Sequence, residues 1–398
     1  MLDLTREYLL LGLRFNKLVD GFVDAYFGDP ALSKQVDGEP TPDADALGRR
    51  AVELRAELPS SGLSPQRQRF LDGQLAALAV SGRKLGGEKI GFVDEVEAYF
   101  QRRPAMEDEA VYAAAHAALE PLLPGSGSLT ERYHAYKKAD EIDPARLSDA
   151  VHAISSALRD RVRATYGLPE QEVVEYVIET DKPWSGFNYY LGDYRSKVAI
   201  NADLPSPMAG LGALVAHESY PGHHTEHARK ERLLVDQAAE PMPEQTIFLV
   251  NTPECLMAEG LADLGLRVSV GKGWGLWLEE IYADLGLRFD GQRAEAIGQA
   301  LKPLGSISQN AALLLHDRGS SVDDVIAYFE RWRLSPRPRA EKSIQSLTDP
   351  LWRAYTSTYV EGERLLESWL DAGDETEQFR RLLDEPLTPA QVAEEIAV

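Results

Sequence analysis

The stretch EVVEYVIETDKPWSGFNYYLGDYRSKVAINADLP, which begins at Glu172, is the main part of this 398-residue chain that resists a helical reading. It is rich in Val, Ile and Tyr and carries turn residues at intervals, which predicts two or three short strands. On either side apolar residues recur at helical spacing. LTREYLLLGLRFNKLVDGFVDAYFG reads as one helix ending at a Gly-Asp-Pro turn, and six further helical segments follow before Gly167. The expected fold class is therefore mainly α, with one small β-sheet in mid-sequence. The composition shift near Gly167 divides the chain into a helical region, 1–165, and a second region, 166–398, expected to make one integrated domain. SPRPRAEKS, around 335–343, reads as a loop or linker.

Bulk properties remove several classes of function. The formal net charge of −22 argues against nucleic acid or an anionic membrane as partner, since both require a positive surface. A single cysteine, Cys255, excludes an internal disulfide and any cysteine-based metal cluster. No apolar run approaches the roughly 18 residues of a membrane span. The N-terminus has an acidic residue at position 3 and none of the basic start, apolar run and cleavage site of a secretory signal. These features predict a cytoplasmic protein.

HESYPGHHTEH, from His217 to His227, holds four histidines and an adjacent glutamate. It opens like the zinc-binding helix HExxH, in which two histidines one turn apart bind the ion and the glutamate serves as base. Here the position four after His217 is Pro221, so the regular motif is absent. Upstream, Ser206-Pro207 reads as an N-cap and first-turn proline. The small, apolar run that follows is suited to packing deep among neighbours. It carries His217 and Glu218 into the interior, where unpaired polar groups are costly, and a metal ion is one partner that would satisfy them.

Pro221-Gly222 should bend or bulge that helix. In a straight helix His217 and His223 stand about 240° apart, while His224, though in phase, sits about 10 Å further along the axis. A two-residue bulge at Tyr220-Pro221 lets Gly222-His223 take the place of the last two residues of HExxH. His223 is the favoured second ligand and His224 the alternative; a solvated polar helix is the competing reading. His227 is expected beside the site or exposed. His116, His134, His152 and His316 stand alone and are expected to be structural or solvated.

A catalytic metal site of this kind needs a third protein ligand and an open position. NTPECLMAEGLADLG supplies candidates, with Thr252-Pro253 starting a helix that bears Glu254, Glu259 and Asp263. Glu259 and Asp263 share a face, whereas Glu254 lies about 140° away from Glu259. Glu259 is the candidate ligand, and Asp263 is placed to hold a ligand histidine by its other ring nitrogen. Glu218 would stand beside a bound water as general base. Two imidazoles and a carboxylate suit zinc.

On these residues the chain resembles the bacterial domain-of-unknown-function 885 family, whose members look like gluzincin metallopeptidases. HESYPGHH matches that family's HExxPGHH block, and EGLAD stands where the family has an EGWA-type segment, with Leu261 in place of the tryptophan. Thimet-oligopeptidase-like and Taq-carboxypeptidase-like peptidases are more distant in appearance, with HExGH at this place. The resemblance covers about 170–370 and implies a zincin-like helical metallopeptidase architecture. In such folds the edge strand of the sheet before the zinc helix pairs with the substrate backbone.

LWRAYTSTYVEGERLLESWL is similar to the family's C-terminal YxxG helix, here Tyr359 to Gly362. A tyrosine at that place would donate a hydrogen bond to an oxyanion, with Tyr355 one turn earlier as its rival. The resemblance implies a zinc-dependent hydrolase, foremost a metallopeptidase cleaving short peptides, with zinc on His217, His223 and Glu259. Arg353 and Arg195 are candidates to bind a substrate carboxylate. Two other readings stand beside it: a hydrolase of non-peptide amides using the same site, and a non-catalytic helical binding protein whose site has decayed.

Overall fold

The computed structural model describes residues 3–182, 184–203 and 206–397. The chain is mainly helical, at 65% helix and 8% strand. The helices expected in the first 165 residues are present, and local chemistry sets their starts. Asp43, Ser64, Ser128 and Asp143 each accept a backbone N–H from two or three residues further on.

Two expectations are corrected. The first helix covers only Leu4–Leu18; the chain then turns through Gly21, at φ +81°, into strand β1, Val23–Tyr26. β1 pairs antiparallel with β5, Ile247–Leu249, a partner too distant in sequence for local periodicity to register. The segment at 335–343 is not a linker, because a helix occupies Arg337–Thr348. Its prolines sit at the N-cap (Pro336) and in the first turn (Pro338), where a missing N–H breaks no helical bond.

The Val- and Tyr-rich stretch forms three strands, β2 (Val173–Glu179), β3 (Gly186–Gly192) and β4 (Arg195–Asn201), in the order β2-β4-β3. β2 runs parallel to β4 and β3 antiparallel to it. The β3–β4 hairpin turns on Asp193 and Tyr194, both in the left-handed region with φ of 52° and 58°. The Glu231 carboxylate accepts both of their N–H groups, at 3.0 and 3.1 Å, which offsets the cost of two left-handed residues that are not glycine.

Three helices meet behind this sheet: Met208–Glu218, Pro253–Asp263 and Thr356–Asp371. Leu211 and Val215 of the first, Leu256 and Ala258 of the second, and Leu365 and Leu366 of the third belong to one apolar core. The second and third approach most closely at Gly260 and Gly362, where a Cβ on Gly260 would lie 2.6 Å from the Gly362 backbone. The glycines of EGLAD and of the YxxG segment are thus a matched pair that lets two backbones touch. Among the described residues no helix is long and apolar enough to cross a membrane.

Candidate metal site

The helix that carries His217 starts one residue later than expected, at Met208, and Ser206 does not cap it. Asp140 does so from outside: its carbonyl accepts the Met208 N–H and its carboxylate the Ala209 N–H, each at 2.9 Å. Thr252 does stand at the N-cap of Pro253–Asp263, but its hydroxyl donates to the Leu249 carbonyl instead of capping.

The first histidine helix ends at Glu218 and a second begins at His223, so the chain breaks where a bulge was expected. The two extra residues are nonetheless looped out. The Gly222 N–H donates to Ala216 O at 2.9 Å and the Thr225 N–H to Ser219 O at 3.1 Å, each six residues back instead of four. A Cβ on Gly222 would sit 1.9 Å from the His217 carbonyl oxygen, so only glycine fits this crossing. His223 thereby gains the place that the second histidine holds in a regular HExxH helix.

His217, His223 and Glu259 offer donor atoms that all lie within 4.8 Å of one another. His217 Nε2 and His223 Nε2 face each other at 3.1 Å, and each lies 3.5 Å from an oxygen of Glu259. Ligands about 2.05 Å from a tetrahedral ion are separated by about 3.3 Å, close to each of these spacings, with His217 nearer Oε2 of Glu259 and His223 nearer Oε1. Glu259 Oε2 is buried and has no hydrogen-bond partner among the described residues. Two imidazole nitrogens turned on one gap, beside an orphaned carboxylate oxygen, fit a bound cation.

The surroundings hold these donors in place. His217 Nδ1–H donates to Asp263 Oδ1 at 3.0 Å, and the Tyr355 hydroxyl donates to Glu259 Oε1 at 2.6 Å. Burial alone would lower the pKa of His217, but Asp263 and Glu259 outweigh it and raise the pKa well above its usual value. His223 lacks such a partner, and burial pushes it down to about 4. Glu259 is held down at about 2 against its own burial, chiefly by His217 and His223.

Glu218 is 6% exposed, and burial pushes its carboxyl up to about 7. Gly186 at the start of β3 leaves it room, since a Cβ there would meet Glu218 Oε1 at 3.0 Å. Tyr359, 40% exposed, lines with His217, Glu218 and Asp263 a cleft of about 1000 Å³. Its ring lies 6.5 Å from that of His217.

The alternatives separate cleanly. His224 is fully buried away from the gap, with Nδ1 on Ser196 Oγ at 2.9 Å and Nε2 on Glu172 at 3.1 Å. It anchors the turn and is not brought to the metal position. Tyr355 is spent on Glu259, which leaves Tyr359 facing the cleft. His227 stacks on Tyr190 at 4.7 Å. His116, His134, His152 and His316 each bond a backbone carbonyl.

Arg353 is absorbed by the buried Glu95, and Arg195 does not line the cleft. One residue escaped the sequence reading. Asp24, at the irregularity in β1, is pushed up to about 7 by burial and by the charges of Glu259 and Glu218. Nothing local marks it, because β1 reaches the site through its packing on β5 and β3, both far along the chain.

No known family model matches the chain. Two solved structures share its fold at low identity. A predicted lipoprotein from Colwellia psychrerythraea superimposes with a TM-score of 0.54 at 15% identity, over 92% of this chain and 68% of that one. A predicted lipoprotein of unknown function from Shewanella oneidensis gives 0.51 at 13%, over 92% and 76%. An M32 carboxypeptidase from Deinococcus radiodurans R1 is fainter, with a TM-score of 0.42 at 13% identity over 98% and 93%.

Proposed function

We propose that this chain is a zinc-dependent hydrolase related to the domain-of-unknown-function 885 family, and that its substrates are short peptides. The observation that carries the reading is the convergence of His217, His223 and Glu259, whose donor atoms lie within 4.8 Å of one another and include a buried carboxylate oxygen without a hydrogen-bond partner among the described residues. Two imidazoles and one carboxylate suit zinc and leave a position open. When bound, zinc supplies Lewis acidity and a water of lowered pKa.

The chain's own groups do the rest. Glu218, with its carboxyl raised to about 7, takes a proton from the attacking water and returns it to the leaving amine. Asp263 keeps the proton of His217 on Nδ1, so that Nε2 presents its lone pair to the gap. Tyr355 fixes the Glu259 carboxylate. Tyr359 donates to the carbonyl oxygen as charge builds there. The edge strand β3 lies beside Glu218 and offers backbone groups to an extended substrate. A cleft of about 1000 Å³ has room for a short peptide.

The test is metal content by elemental mass spectrometry on the purified chain, followed by a peptide-library screen. About one zinc per chain, lost in His223→Ala and in Glu259→Ala, is expected. A protein that neither contains nor takes up zinc overturns the reading.

A further inference from the structure

The cleft has two chemically opposite ends. Glu218 and Asp263 line the end at the histidines, while Lys137 and Arg339 line the wall contributed by the helices Leu129–Ala139 and Arg337–Thr348. In a chain of net charge −22, cations left without carboxylate partners need an account. Lys138 and Glu141 also line this wall, where they pair with each other at 2.5 Å. Lys137 and Arg339 form no ion pair with any carboxylate among the described residues, and Arg333 adds a third positive charge close to Lys137. Withdrawal from water and these two arginines push the pKa of Lys137 down, the signature of like charges held together without a counter-ion.

Lys137 is held in place by its surroundings, whereas Arg339 is exposed. Tyr133 and Tyr136 pack on Leu119, Leu123, Ile297 and Leu334. His134 Nε2 bonds the Leu334 carbonyl at 2.7 Å, which ties the lysine helix to the approach of the arginine helix. The Lys137 ammonium lies 4.5 Å over the Tyr133 ring, a contact that positions the charge without cancelling it.

We propose that this end of the cleft is an anion subsite that takes a carboxylate of the substrate through Lys137 and Arg339. The substrate class rests on the peptidase reading above; the subsite itself does not. The carboxylate is either the free C-terminus of a peptide or an acidic side chain within it, and the two sources are separable.

The experiment measures fluorescence-detected affinity for three probes: dansyl-Gly-Ala-Ala, its C-terminal amide, and dansyl-Gly-Glu-Ala amide. It uses the full chain incubated with zinc and carrying Glu218→Gln to prevent turnover, and is repeated after chelation. The free acid should bind about tenfold tighter than its amide, the effect of about one charge-assisted hydrogen bond. That preference should vanish in Lys137→Gln/Arg339→Gln, persist in Lys138→Gln, and shrink in salt on the order of 1 M. Recovery of affinity in the glutamate-containing amide assigns the anion to a side chain; its absence assigns it to the terminus. Equal binding of all three probes, or a preference that survives the double variant, overturns the proposal. Circular dichroism verifies that the variants fold. A carboxylate preference in a protein that takes up no zinc sinks the hydrolase reading alone, and zinc-dependent hydrolysis without that preference sinks the subsite alone.

Discussion

The two helices that carry the histidines are built on opposite plans. Met208–Glu218 is small and apolar up to its last two residues, and it is seated by Leu211, Val215 and Ala216 in the main core. His223–Lys230 reads HHTEHARK, yet His224, Thr225, Glu226, Arg229 and Lys230 are all buried. The second helix is held by paired charges: Lys230 on Glu226 at 2.6 Å, Arg229 on Asp384 at 2.6 Å, and His224 on Glu172 at 3.1 Å. Apolar burial places the first ligand, and a polar lattice places the second. An apolar seat loses stability in proportion to the atoms removed, whereas a lattice that loses one member strands several charges.

The largest effect should fall where the apolar helix ends. Glu218→Gln keeps the shape of the side chain but removes the base, and should lower kcat about 10³-fold while zinc content stays unchanged. Activity retained in that variant would remove Glu218 from the mechanism. The lattice is tested next. Glu172 is fully buried and receives Tyr220 at 2.7 Å, His224, Arg159 and Arg163. Glu172→Ala should destabilise by about 4 kcal/mol in urea unfolding, against about 3 kcal/mol for Leu211→Ala on the apolar side. If Glu172→Ala proves the milder change, the lattice does not hold the second helix.

The same contrast explains what was legible in the sequence. Helix periodicity, the strand-rich stretch and the Glu259/Asp263 spacing are local patterns, and they yielded the fold class and the donor set that the structure brings together. The looped-out pair before His223 was also legible, since Pro221-Gly222 cannot continue a helix; that it would end the helix outright was not. Asp24, the β1–β5 pair and the partner of His224 were invisible because each depends on a contact between distant segments. Glu172 lies 52 residues from His224, and no spacing rule links a carboxylate before a strand to an imidazole after a turn.

Glu254 sharpens the comparison, since it brings a carboxyl from the glutamate helix up to the lattice. It is 6% exposed, accepts from Gln74 at 3.1 Å, and feels Lys230 and Glu226. Burial is the dominant cause that pushes it up to about 8 from an ordinary 4.5. The folded state therefore binds a proton that the unfolded state has released between those values. Its contribution is fully present below about pH 4.5, falls as pH rises toward about 8, and is flat beyond. The loss at pH 7 reaches about 3 kcal/mol at most. Glu254→Gln should flatten that slope in urea midpoints compared at about pH 5 and about pH 8. An unchanged slope would mean that other groups carry the pH dependence.

The smallest effect tests the asymmetry between the two ligands themselves. His217 has Asp263 on its outer nitrogen and a raised pKa, whereas His223 has no carboxylate there among the described residues and sits at about 4. Near neutral pH metal must therefore expel a proton from His217 but none from His223, so zinc affinity should rise with pH and about one proton should leave per ion from these two rings. Asp263→Asn preserves volume and removes the charge. It should weaken zinc binding about tenfold or more, because the imidazole is less basic and less firmly oriented. It should also reduce the proton release, because His217 no longer holds its proton so tightly. Competition titration against a chromophoric chelator at about pH 6 and about pH 8 reads both effects. Weaker binding with undiminished proton release would show that Asp263 orients His217 without setting its charge. Unchanged affinity would show that the apolar helix alone positions it.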